Sequence, residues 1–319
     1  MRHVERVNGL MKKPELLTTA ATIDEMARLI EAGANAFNIG EQKFGMRLAG
    51  DFTPDRIAEA VKLAHNGGAK VYVVANNIMD NTILPELPGY LSQMEQCGAD
   101  AIVFGDPALL LAAREAGVKL PFHWNPEMTA TNYATANYWA GKGATRVVLA
   151  RELNLEQVLE FKRKANIEVQ VQVHGITNIF HSKRQMVKNY FDHLGRPVDN
   201  AVIGKERGLF LLEAERQDEK YPIYEDKNGT HIMSPDDVCM LESLHELLEA
   251  DIDSLKIEGL MKDVRYNETV VAAYRKTIDA YFADPEGYTF DEELLQEIER
   301  IQPGERPLSF GFFYKEQVY

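Results

Sequence analysis

One short pattern recurs along the chain and limits what it can fold into: a helix-compatible stretch, a turn of small residues containing glycine, then a burst of β-branched and apolar residues. It appears at Glu31–Ile39, Asn66–Val74, Gln96–Phe104 and Gly141–Leu149. Each glycine falls where a helix must end and the backbone must reverse into a strand. Glu15 to Thr19, Leu120 to Asn125, Glu168 to His174 and Asp253 to Glu258 bring the total to eight candidate strands, mostly separated by segments long enough for a helix. Strict alternation implies a parallel sheet, and eight units favour closure into a (β/α)8 TIM-like barrel. An open, doubly wound sheet is the competing arrangement, but no Gly-x-Gly-x-x-Gly fingerprint follows the first strand.

The spacing breaks once. The seventh and eighth strands are separated by residues 176–252, far more than a crossover needs, so the α/β barrel is expected to carry a large insertion there, on the strand-end face. Within it the sequence predicts a turn at Leu194 to Pro197, a hairpin around Asp226-Lys227-Asn228-Gly229 and a helix from about Pro235 to Glu249. Lys262 to Phe282 reads as the closing helix. Residues 284–319 form a C-terminal extension whose apolar run, Leu308 to Tyr314, should pack or pair. A barrel needs about 250 residues, so residues 1–319 fit one domain.

Charge and cysteine content narrow the function classes. The start from Met1 to Gly9 is polar and no stretch approaches the roughly 20 apolar residues that span a bilayer, so a cytoplasmic protein without membrane contact is expected. Cys97 and Cys239 are the two cysteines, far apart, which excludes a disulfide framework and a four-thiolate metal site; no metal ligand set is expected. A formal charge of −14 disfavours a broad nucleic-acid face. The local basic run His181 to Lys188 remains a candidate RNA contact through Lys183, Arg184 and Lys188, or else a solvated surface.

Strand alternation points to the chemistry. In Glu168 to His174 the valines take one face and Gln170, Gln172 and His174 the other; in Ser254 to Glu258, Leu255 and Ile257 oppose Lys256 and Glu258. The face under the helices must be apolar, so the polar set is expected inside the barrel. His174, Lys256 and Glu258 become the catalytic candidates, with Lys256 binding an anion and Glu258 or His174 handling protons; an internal Lys256–Glu258 salt bridge is the structural alternative. Glu41, Arg47, Asn77, Asn125, Arg151 and Glu152 follow other strands and could converge as substrate contacts. Two arginines and a lysine at one mouth suit a small carboxylate-bearing ligand. The chain lacks the second histidine of a zinc-protease helix motif, a Gly-x-Ser-x-Gly elbow and a phosphate-binding P-loop.

Several runs together resemble the collagenase-like peptidase family U32: Pro14-Glu15-Leu16-Leu17, Phe44-Gly45-Met46-Arg47, Arg146 to Leu153, His174-Gly175 and Ser254 to Gly259. The resemblance covers about residues 14 to 314. It implies a barrel fold and either proteolysis or, for many members, hydroxylation, including 5-hydroxylation of a tRNA wobble uridine with prephenate as the oxygen-linked cofactor. The family pattern also implies cysteines after His-Gly that hold an iron–sulfur cluster. Asn178 and Gln185 stand at two of those positions here, so no cluster is expected in this chain and none of its cofactors is bound through thiolates. The resulting expectation is a component of tRNA hydroxylation, working with a cysteine-bearing paralogous subunit. A peptidase, a Schiff-base lyase using Lys256 on a small keto acid, and a non-catalytic scaffold subunit are the alternatives.

Overall fold

Gly33, Gly68, Gly98 and Gly143, the glycines of the repeated unit, all have positive φ, at 109°, 73°, 79° and 105°. A side chain is strained in that region, so these positions turn helix into strand at little conformational penalty. The structure, a computed structural model, describes residues 12–127, 129–196, 198–199 and 203–316; the polar start at Met1 to Gly9 lies outside them.

In chain order the barrel strands are β1 (Glu15–Thr19), β2 (Ala36–Ile39), β3 (Lys70–Ala75), β4 (Ala101–Phe104), β5 (Phe122–Trp124), β6 (Ala144–Val148) and β7 (Glu168–Ser182). Then β8 (Phe210–Leu212), β9 (Lys220–Asp226) and β10 (Gly229–Cys239) form the insertion, and β11 (Ser254–Glu258) is the eighth barrel strand. Helices α1 (Ile23–Glu31), α2 (Pro54–Asn66), α3 (Leu87–Gln96), α4 (Ala108–Ala116), α5 (Tyr133–Ala140) and α6 (Leu155–Lys164) link successive barrel strands. Helices α7 (Met186–His193) and α8 (Leu244–Glu249) lie in the insertion; α9 (Val264–Ala283), α10 (Glu292–Ile301) and β12 (Leu308–Ser309) follow β11. Neighbouring barrel strands pair in parallel from β1 to β7, and β11 closes the ring by pairing with both β1 and β7. The expected (β/α)8 barrel is therefore closed. No described helix is long and apolar enough to cross a membrane.

The outer faces of the strands bury Val71, Val73, Ile102, Phe104, Val147, Val169, Val171, Leu255 and Ile257 under the helices. Each such side chain stabilises the fold by roughly 1.5–3 kcal/mol. Inside, the two halves differ. Leu17, Ala36, Tyr72, Val74, Ala101 and Val103 fill the β1–β4 half with apolar bulk, whereas β5, β6 and β7 direct His123, Arg146 and Gln170 inward, all buried. At the floor, where the strands begin, Arg146 binds Glu15 at 2.5 Å and Glu168 at 2.8 Å, and Ser254 donates to Glu15.

The insertion begins as a continuation of β7 rather than a loop. Gly175 has φ 94°, and a Cβ there would lie 2.1 Å from the carbonyl oxygen of Glu258, so glycine is required where β7 leaves the ring beside β11. Beyond it β7 pairs antiparallel with β10, β10 with β9 and β9 with β8. The expected hairpin at Asp226 to Gly229 is present between β9 and β10. Its tip crosses the mouth: Asn228 donates to the carbonyls of Gln42 and Gly45 and accepts from Asn77. The helix expected from Pro235 to Glu249 is shorter. Residues up to Cys239 belong to β10, paired with β7 and with β12, and the helical part is α8 alone. Asp237 explains the change: it is fully buried between Lys262 at 2.6 Å and Arg306 at 2.7 Å, partners that α9 and the C-terminal extension bring to a strand. Leu194 and Gly195 form a turn as expected, while Pro197 lies outside the described residues.

Candidate functional site

Where the strands end, the ring and the insertion enclose a cavity of about 40 Å³ whose lining includes Arg47, Asn125, Glu127, Arg151, Lys256 and Glu258. Arg47, Asn125, Arg151, Lys256 and Glu258 were singled out by the sequence, and the fold brings them together. Glu127 was not. It follows β5 in Asn125-Pro126-Glu127, and its carboxylate bridges the two guanidinium groups, 2.6 Å from Arg47 and 2.8 Å from Arg151. The available signal was its position two residues past a polar strand end.

The backbone bends to make this cluster. Arg47 and Glu127 have φ of 54° and 64°, a region that non-glycine residues seldom occupy. Asn76 holds both segments, accepting the N–H of Met46 at 2.8 Å and donating to Glu127 at 3.2 Å. Asn125 accepts the N–H of Glu127 at 3.3 Å. Such strain persists where surrounding contacts over-determine it, and it clusters at binding sites.

Charge at the cavity is unbalanced. Arg47, Arg151 and Lys256 face Glu127 and Glu258, three cations against two carboxylates, a surplus of one positive charge. Burial alone would raise the Glu127 carboxyl, but Arg47 and Arg151 outweigh it and hold it down to about 2. Lys256 donates to Glu258 at 2.7 Å, and the other Glu258 oxygen accepts the N–H of Leu260 at 3.2 Å. The internal salt bridge considered from the sequence is thus formed. Within this shell, Nη1 of Arg47 and Nε of Arg151 are buried with no hydrogen-bond partner. Buried donors without acceptors are unfavourable by about 1–3 kcal/mol each, or more when charged, which an anion in the cavity would relieve.

The other candidates lie elsewhere. His174 does not face the cavity. Lys256 pairs with Gln172, but Ile257 pairs with His174, so Val173 is an extra residue in β7 and the alternation slips by one. This bulge turns the imidazole outward, where its Nε2 lies 2.9 Å from the hydroxyl of Tyr266 and its ring meets Tyr274 edge-on. Burial lowers its pKa to about 4. Glu41, Asn77 and Lys183 line a separate cleft beside the hairpin tip, where Lys183 is paired with Asp80 at 3.0 Å. Burial raises the Glu41 carboxyl there, with Asp51 adding to it. Glu152 lines a larger cleft outside the cavity. Arg184 is exposed, and Lys188 gives its backbone N–H to Glu225.

The model of peptidase family U32 matches residues 21–318. The chain belongs to this family. It is similar to tRNA hydroxylation protein P2 of Bacillus subtilis (strain 168), with 49% identity over 97% of this chain and 100% of that protein. It is 33% identical to tRNA hydroxylation protein P1 of the same organism, covering 98% of this chain and 76% of that protein. With tRNA hydroxylation protein P of Escherichia coli (strain K12) it shares 30% identity over 91% of this chain and 73% of that protein. A solved U32 peptidase structure superimposes with a TM-score of 0.50 at 15% identity, over 80% of this chain and 96% of that one, a likeness of fold.

The side chains where the U32 resemblance implies an iron–sulfur cluster do not fit one. Cluster iron requires thiolates, and Asn178 and Gln185 present amides. Cys239 is packed against Tyr274, its sulfur 3.9 Å from the phenol oxygen, and burial raises its thiol pKa, away from the thiolate.

Proposed function

We propose that this chain serves RNA hydroxylation, acting on the wobble uridine of tRNA, and that its barrel mouth holds a small carboxylate-bearing co-substrate. The observation that carries the reading is the end-to-end similarity to tRNA hydroxylation protein P2, supported by a cationic cavity whose Arg47 and Arg151 have unused buried donors. By family resemblance the co-substrate is prephenate, a dicarboxylate, which would supply the oxygen-linked chemistry. Arg47 and Arg151 would take one carboxylate, since guanidinium binds it through paired donors, and Lys256 the other. The cavity of about 40 Å³ has room for roughly three waters, so admitting such a molecule requires side chains around it to move. With His174 turned away, the role of proton acceptor would fall to Glu258.

The missing thiolates support a division of labour with a second, cysteine-bearing family member. P1 and P2 are both relatives of this chain from Bacillus subtilis, and this chain spans about three quarters of the longer one. Nucleosides from tRNA of a strain lacking this gene, alone and together with its paralogue, test both proposals by mass spectrometry. Loss of 5-hydroxyuridine derivatives is expected in the single deletion. Unchanged levels in the double deletion would sink the hydroxylation reading, and full levels in the single deletion would sink the pairing.

A further inference from the structure

Asn178 forms part of two spaces at once. It lines the inner cavity with Arg47 and Lys256, and it lines an outer cleft of about 640 Å³. Arg151 is shared in the same way, so these two residues stand between cleft and cavity. Asn178 is 7% exposed, and its Oδ1 is buried without a hydrogen-bond partner. A buried amide in that condition is unfavourable unless something else completes it. Its neighbour Thr177 likewise leaves Oγ1 unpartnered while its N–H is fixed by Ser234 at 2.9 Å.

The cleft is of ligand size, within the roughly 300–1,000 Å³ of small-molecule pockets. One wall carries Phe312, a 42% exposed ring with the Lys315 ammonium 4.8 Å from its centroid. An exposed ring offers a stacking surface that nucleobases use, worth about 1–3 kcal/mol per base. The charges elsewhere in the cleft are largely spent on one another: Lys220 is paired with Glu305 at 2.7 Å, and Arg216 with Glu219 at 3.2 Å. An uncharged, flat, amide-bearing group fits this wall better than a polyanion. A carboxamide is complementary to the edge of uracil, its oxygen accepting N3–H and its nitrogen donating to O4. That edge adjoins C5, the carbon that carries the new hydroxyl.

Resting on the hydroxylation reading above, we propose that the outer cleft receives the uracil base of an unstacked uridine, with Phe312 as its stacking surface and Asn178 reading its N3–O4 edge. Extrusion of a target base is the usual way to reach an atom hidden in a stack. Asn178 then holds the base at the boundary between this cleft and the carboxylate site.

The test is complementation of a strain lacking this gene with full-length wild type, Asn178→Ala, Asn178→Leu and Phe312→Ala, scored by 5-hydroxyuridine derivatives in tRNA. Thermal melts of the purified variants accompany it. Asn178→Ala and Phe312→Ala should each lower the product about tenfold, the equivalent of one or two lost contacts, and Asn178→Leu should lower it further. Melting temperatures of the Asn178 variants should not fall below wild type, because the buried oxygen has no internal partner to lose. Saturation-transfer NMR with uridine 5′-monophosphate should show contact with the wild-type protein, and weaker contact both for N3-methyluridine 5′-monophosphate with wild type and for uridine 5′-monophosphate with Asn178→Ala. Full product from both Asn178 variants, or equal contact for the methylated nucleotide, overturns the base-reading proposal while leaving the hydroxylation reading intact. Absence of any product change on deleting the gene and its paralogue overturns both.

Discussion

His174 stands opposite Ile257 across the ladder between β7 and β11, one residue out of step with the Gln172–Lys256 pair before it. That slip removes from the barrel mouth the histidine expected to handle protons there and seals it behind α9. Its consequence is thermodynamic. Burial lowers the imidazole from 6.5 to about 4, so the folded state disfavours its proton. Stability from this group is complete above pH 6.5 and is lost as pH falls from 6.5 through about 4, in total about 3 kcal/mol. Chemical denaturation at pH 7 and pH 4 should therefore show a steeper loss for wild type than for His174→Gln, whose amide can keep the bond to Tyr266. Parallel pH profiles would exclude this account. Near-normal tRNA hydroxylation is expected from the same variant.

Glu127 separates two guanidinium groups that would otherwise face each other across a small cavity. Glu127→Gln leaves both cations short of a counter-charge. Discounted for a side chain 21% exposed, the loss should be about 2 kcal/mol or more. The wild-type carboxyl titrates at about 2 instead of 4.5. Its stabilisation is therefore present above pH 4.5 and disappears as pH falls toward 2, and the variant should lack that part of the acid limb. Millimolar malonate should raise the melting temperature of Glu127→Gln more than that of wild type, since the anion replaces the missing charge. An equal response in both proteins would show that the cavity does not select carboxylates.

What the sequence made legible follows from periodicity. The small-residue turns and the alternation in β7 and β11 depend on local geometry, and they placed the eight strands, the hairpin and the inward-facing Gln172, Lys256 and Glu258 correctly. Three features depend on contacts remote in sequence and were not legible. The bulge at Val173 adds one residue to β7 without any marker such as glycine. Asp237 converts an amphipathic stretch to strand only because Lys262 and Arg306 reach it. Glu41 and Asn77 lie past strand ends like Arg47, but the hairpin tip at Asn228 fills the space between them and the cavity. Position after a strand brings a residue to the mouth; the insertion decides which residues share a space.

Arg146 offers a contrast between the floor of the barrel and its mouth. It is 3% exposed and bound to Glu15 and Glu168 at the beginnings of the strands, the end of such barrels that serves stability. Removing one member of a buried ionic group leaves its partners uncompensated. Arg146→Met should lose about 3–5 kcal/mol of stability, and Arg146→Met combined with Glu15→Gln should recover part of it. Urea unfolding measures both. A double variant no more stable than the single one would mean that the network does not act as an ion pair.

Arg47 is the matching test at the mouth. Its guanidinium uses one nitrogen on Glu127 and leaves Nη1 buried without a partner beside the cavity. Lysine at this position keeps the charge and can keep the contact with Glu127, but it lacks the planar fork that binds a carboxylate through two donors. Arg47→Lys should therefore stay folded, with a melting temperature within a few degrees of wild type, because the lost donor was unsatisfied. Hydroxylated uridine in a complemented deletion strain should nevertheless fall about tenfold, equivalent to about 1.4 kcal/mol of co-substrate binding. Raising the intracellular carboxylate co-substrate should restore part of the product, as a weakened binding site requires. Full activity at ordinary co-substrate levels would remove Arg47 from the binding site and move the anion to Arg151 and Lys256.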